Sequence, residues 1–192
     1  MALDRERKDV DEIVKTLREL PPGRVYAGMT DEAPTPGADD RWGQGYRIGN
    51  FIMAELLASA GLDVFSSSLH DYSLSSSPEN SFNENRPEQY NLFNVRYVVV
   101  PQNAQMPMFM KPLKIVGRHQ IYQVETTGYF DLVGSRLSFA GSKEEFRSNA
   151  MYWLTSELPK AKLHPRMSIN GSPKHQDTDS LADTVLLASE HQ

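Results

Sequence analysis

The apolar positions of this chain come in short runs whose spacing switches between helical and strand-like. Val10, Ile13, Val14, Leu17 and Leu20 recur three or four residues apart among charged neighbours, which predicts an amphipathic helix from Asp9 to Leu20. Pro21-Pro22-Gly23 ends it, and Arg24 to Met29 reads as a first strand with Val25 turned inward. Ile48 to Ala60 reads as a second helix presenting Ile48, Phe51, Ile52, Leu56 and Ala60 on one face, with Gly61 placed for a left-handed cap. Leu62 to Phe65 reads as a short strand.

The densest apolar run is Gln89 to Pro101. Glu88 to Asn94 is expected to form a helical turn that feeds a strand over Val95 to Val100, stopped by Pro101, which has no N–H for a ladder. A near-continuous Val run suits a strand covered on both faces. Leu113 to Val116 and Gln120 to Val124 flank Gly117-Arg118-His119 as a hairpin, and Tyr129 to Val133 reads as a further strand. Ser142 and Glu145 form a capping-box pattern at the head of a helix over Lys143 to Leu158, and Arg166 to Ile169 reads as a last strand.

Together these elements predict an α/β fold: a central mixed sheet with flanking helices and an added β-hairpin. The Arg24 and Val95 strands are expected to be parallel neighbours, since a helical crossover lies between them. The helices at 48–60 and 143–158 would flank them, with the 113–124 hairpin extending the sheet. Residues 1–169 are expected to form one domain, led by the 9–20 helix. Residues 170–192 form a polar tail with only Val185-Leu186-Leu187 to bury, too little to offset chain entropy.

Composition narrows the function. The formal net charge is -5 and no block of Lys or Arg forms a basic stripe, so no nucleic-acid partner is expected. The absence of cysteine removes disulfides, thiolate zinc sites and cysteine nucleophiles. No apolar segment reaches the roughly 18 to 20 residues of a membrane span. The N-terminus also lacks a signal peptide's apolar core, although the chain could be the water-soluble part of a larger membrane protein.

Candidate chemistry lies in two long polar segments. Gly43-Gln-Gly45-Tyr46-Arg47-Ile48-Gly49 precedes a helix, as phosphate-binding glycines do, but its spacing departs from the dinucleotide fingerprint and no strand leads into it. His70-Asp71-Tyr72 sits in a Ser-rich stretch and suggests a hydrolase relay. Adjacent residues diverge, however, and no Gly-x-Ser-x-Gly elbow is present. The rings of Trp42, Tyr46, Tyr72, Phe82 and Tyr90 could stack on sugars or could simply cover the core. The ligand-binding candidates are therefore Trp42, Tyr46, Arg47, His70, Asp71 and Tyr72. The histidines at 70, 119, 164, 175 and 191 are scattered, and Asp177-Thr-Asp179 lies in the tail, so no metal or cofactor is expected. Asn170-Gly-Ser172 fits a glycosylation pattern common by chance.

One succession of motifs resembles a known family. Leu20-Pro-Pro-Gly-Arg-Val-Tyr26, then Tyr90-Asn-Leu-Phe-Asn-Val-Arg-Tyr-Val-Val-Val-Pro101, then Ile121-Tyr-Gln-Val124 and Gly128-Tyr-Phe-Asp-Leu-Val133 are similar to the extracytoplasmic region of bacterial multi-spanning proteins of the YfhO family and the wider GT-C glycosyltransferases. The resemblance spans roughly Asp9 to Ile169 and is carried by short, mostly hydrophobic pieces. It implies a domain outside the cytoplasmic membrane, partnered by its own membrane region and by a glycan or lipid-linked sugar. It supplies no catalytic residue, because the family places its acidic residues on loops between membrane helices. The function it implies is non-catalytic accessory or acceptor recognition. Two rivals are a stand-alone sugar- or nucleotide-binding enzyme using residues 43–49, and an interaction module of a membrane assembly.

Overall fold

A computed structural model describes residues 2–28, 46–65, 81–169 and 184–185, which fall into two compact units, Met1–Phe130 and Asp131–Gln192. This division lies inside the span that the sequence treats as one domain. No helix among the described residues is long and apolar enough to cross a membrane.

The first unit opens with α1 (Ala2–Glu19), which begins seven residues before the expected start at Asp9 because Leu3 and Arg5 to Lys8 are good helix formers. β1 (Arg24–Tyr26) follows. The predicted 48–60 helix is replaced in its first half by a small antiparallel ribbon, β2 (Arg47–Ile48) and β3 (Phe51–Ile52), so that only α2 (Met53–Ser59) is helical. Its inward residues are Met53, Ala54 and Leu57, while Phe51 is exposed, so the predicted face is also displaced. Gly61 does take the left-handed conformation, with φ 81°.

β4 (Val64–Phe65), α3 (Pro87–Phe93) and β5 (Val95–Pro101) come next. Pro87 starts α3 where a missing N–H costs nothing, and Asn94 ends it in the left-handed region at φ 51°. The hairpin is β6 (Lys111–Val116) and β7 (His119–Gln123). Gly117, at φ 55°, begins its two-residue loop, and a Cβ there would lie 2.1 Å from Asp9 Oδ2.

These strands form one mixed sheet in the order β4-β1-β5-β7-β6. β1 is parallel to both β4 and β5, as predicted for the Arg24 and Val95 strands, and β7 runs antiparallel to β5 and β6. β5 divides its side chains between two cores. Tyr97 and Val99 join Ile13, Leu17, Val25, Leu57 and Ile121, whereas Val98 and Val100 join Tyr26, Phe65, Phe82 and Tyr90. Since successive strand residues point to opposite faces, α1 and α2 cover one face and α3 the other.

In the second unit, β8 (Gly134–Gly141), α4 (Lys143–Thr155) and β9 (Leu163–Ile169) make a β-α-β unit with a parallel β8–β9 pair. β10 (Thr184–Val185) pairs parallel on the other side of β8. The predicted capping box is present: Ser142 accepts from the Glu145 N–H, and Glu145 accepts from the Ser142 N–H at 2.7 Å. α4, which the sequence reading sets beside the central sheet, packs on β8 and β9 within its own unit. Residues 129–133 are not a strand, and Phe130 and Leu132 are both 91% exposed.

Ile121→Ala, at a fully buried position of β7, should cost about 2–5 kcal/mol of unfolding free energy in a urea titration. Ile115→Ala, on the half-exposed edge strand β6, should cost less than about 0.5 kcal/mol.

Candidate functional site

The connection from β1 to β4 passes through α2 on one face of the sheet, and that from β4 to β5 passes through α3 on the other. β1 and β4 are adjacent and parallel, and the helices that follow them in the chain cover opposite faces. Such a topological switch point is where open α/β sheets open a crevice for ligands. Its described rim consists of Tyr26, Ala27 and Gly28 at the end of β1 and Phe65 at the end of β4. Residues 29–45 and 66–80, which follow those strand ends in the chain, lie outside the described residues, and with them Trp42, His70, Asp71 and Tyr72.

Tyr46 and Arg47 are described, and they stand beside this rim. The Tyr46 N–H donates to the Ala27 carbonyl at 3.0 Å, and its own carbonyl accepts from the Met53 N–H at 2.7 Å. The fully buried Tyr46 ring points into the α1–α2 face, where its hydroxyl lies 2.6 Å from His119 Nδ1. The two rings meet edge to face, and the Arg118 guanidinium sits 5.4 Å from the Tyr46 ring centroid. Arg118 Nε donates to Glu6 Oε2 at 2.8 Å and its Nη2 donates to the Arg47 carbonyl at 3.1 Å. Arg47 itself is exposed, its guanidinium reaching the Asn50 carbonyl at 3.4 Å.

The order Glu6, His119, Tyr46 is that of a carboxylate–imidazole–hydroxyl relay. His119 Nε2 lies 3.1 Å from Glu6 Oε2 but outside hydrogen-bond geometry. Burial, the largest influence, lowers the His119 pKa; Glu6 and Asp9 oppose it, while Arg118 adds to it. A neutral ring accepting the phenol proton at Nδ1 satisfies the arrangement. Because both rings are fully buried, the relay joins α1, the residue leading into β2 and the first residue of β7 rather than meeting a substrate. The sequence reading missed Glu6 by starting the helix at residue 9 and took His119 for a turn residue. The run of helix formers before Asp9 was the available signal.

On the opposite face, Phe82 and Tyr90 prove to be core residues rather than a stacking surface. Tyr26 of the same cluster bonds the second polar group that the sequence did not reveal, Glu84, which is 3% exposed. Its Oε1 accepts from the Tyr26 hydroxyl at 2.5 Å. Among the described residues no group of three or more His, Cys, Asp or Glu is placed to hold a metal ion. No family model, curated protein or solved structure matches the chain.

His119→Ala leaves the Tyr46 hydroxyl buried without its imidazole partner and should cost about 1–3 kcal/mol in chemical denaturation. His119, its folded pKa lowered, should also make the wild type lose stability as pH falls below its ordinary 6.5, because the unfolded chain then takes up a proton that the fold resists. The variant should lack that component when unfolding is compared at pH 7.5 and pH 5.5.

Proposed function

We propose that this chain is a non-catalytic recognition domain of a glycosyltransferase-like membrane protein, facing the extracytoplasmic side and taking a glycan or lipid-linked sugar at the carboxyl edge of β1 and β4. The observation that carries the reading is the topological switch point: the two segments with the candidate ring, imidazole and carboxylate residues are joined to the two strand ends that flank it. The motif resemblance supplies the ligand class and the membrane attachment. The polar relay that is described is enclosed in the core, which favours binding over turnover. The domain contributes recognition, and any transfer chemistry belongs to the membrane region of the parent protein.

Titrating isotope-labelled protein with sugar 1-phosphates and short-chain polyprenyl-phosphate sugars should shift the backbone amides of Ala27, Gly28, Tyr46 and Phe65. The donors should remain intact after prolonged incubation. No shift at millimolar ligand, or shifts confined to the groove between α1 and α2 lined by Arg7, Lys15, Arg18 and Leu56, would overturn the assigned edge. Donor cleavage would favour the enzyme reading instead. A parent reading frame without membrane helices would remove the membrane attachment.

A further inference from the structure

Glu84 is a carboxyl group held where a carboxylate should not be. It comes from the irregular stretch 81–86, and its side chain enters a cluster of rings. Phe82 lies 4.8 Å from Tyr90, 4.9 Å from Phe65 and 5.2 Å from Tyr26, measured between ring centroids. Only one carboxyl oxygen is satisfied, by the Tyr26 hydroxyl. Glu84 Oε2 and the Tyr90 hydroxyl are both buried without a hydrogen-bond partner.

Among the described residues, the elements around this group offer no cation. β1 contributes the Tyr26 phenol, β4 contributes Phe65, and α3 contributes the Tyr90 phenol and Phe93. Arg86, two residues along the chain, bonds Glu88 at 2.6 Å. A buried carboxylate without a counter-ion is strongly unfavourable. The ring contacts are too close to admit a hydrated metal or an organic ammonium, so the cation that fits is a proton.

We propose that Glu84 is a proton-operated latch: as a carboxylic acid it holds residues 81–86 against β1, β4 and α3, and on ionisation it leaves the ring cluster and frees that segment. Among the described residues, the backbone of the segment is held by bonds within itself and to the start of α3. The Arg86 N–H donates to the Asn83 carbonyl at 3.0 Å, and the Asn83 N–H donates to Gln89 Oε1 at 2.6 Å. Phe82 and Glu84 are the side chains that fasten it to the sheet. Burial pushes the Glu84 pKa up from 4.5 to about 8, and the Tyr26 hydrogen bond pulls weakly the other way. The latch therefore stays closed through neutral pH and opens on the alkaline side. It is independent of the ligand reading, and its test uses no ligand.

The test follows the Glu84 side-chain carboxyl carbon by NMR from pH 4 to 10 in the whole chain, with amide exchange at residues 81–86 measured alongside. The carboxyl should titrate near 8 rather than 4.5. Above that midpoint, protection at Asn83 and Asn85 should fall by about tenfold beyond intrinsic base catalysis while Val98 to Val100 keep theirs. Glu84→Gln should hold protection constant across the range. Tyr26→Phe, which removes the one bond that favours the carboxylate, should move the midpoint further up, and it decides the matter if Glu84→Gln fails to fold. A midpoint in the ordinary carboxylate range, or a Tyr26→Phe variant with an unmoved or lowered midpoint, overturns the proposal. So does unchanged protection across the titration.

Discussion

The structure of the first unit depends on β5 having no free face. Five of its seven residues are fully or almost fully buried valines or tyrosine, and alternation sends Tyr97 and Val99 into one core and Val98 and Val100 into the other. Each such burial contributes roughly 1.5–3 kcal/mol, and a sheet covered on one side only would lose that contribution for every side chain on its bare face. The amphipathic stripe of α1 therefore needs α2 beside it on one face, while α3 and the 81–86 segment must close the other. The routing of the two crossovers over opposite faces, and with it the switch point, is a consequence of that two-sided demand.

The polar groups near the carboxyl edge follow from the same demand. Tyr46 and His119 on one face, and Tyr26 and Glu84 on the other, sit where the sheet ends and the covering layers close over it. Burial shifts both titratable groups toward their neutral forms, lowering the imidazole and raising the carboxyl. The difference is in their partners. His119 has charged neighbours on several sides, Glu6, Asp9 and Arg118, which balance one another around it. Glu84 has two phenols and a wall of rings, so its protonation state alone decides whether it belongs there.

The strongest elements were legible because local pattern and tertiary need agree. The Val run of β5, the stripe of α1 and the capping box of α4 each carry a signal that packing then reinforces. The ribbon β2–β3 was not legible, because Ile48, Phe51 and Ile52 fit helical spacing as well as they fit a hairpin. Gly49-Asn50 between them was the signal outweighed, and Gly49 adopts φ 59° in the turn. β8 was missed in favour of the more aromatic 129–133 because pairing with β9 and β10 is a non-local choice. Glu84 was hidden by composition: a lone acid among Asn, Ser and Pro reads as solvated, and only the position of Tyr26, 58 residues away in sequence, shows otherwise. Of the six candidate ligand residues, the described region places Tyr46 inside the core and Arg47 at its surface.

The binding edge proposed for this domain is the carboxyl edge of β1 and β4, and its sharpest test is a crystal structure of the chain grown with a sugar phosphate. Ligand density is expected outside Gly28 and Phe65, with the Tyr46–His119 pair undisturbed. Density seated elsewhere on the sheet or its helices, with that edge closed by the chain's own side chains, would contradict it.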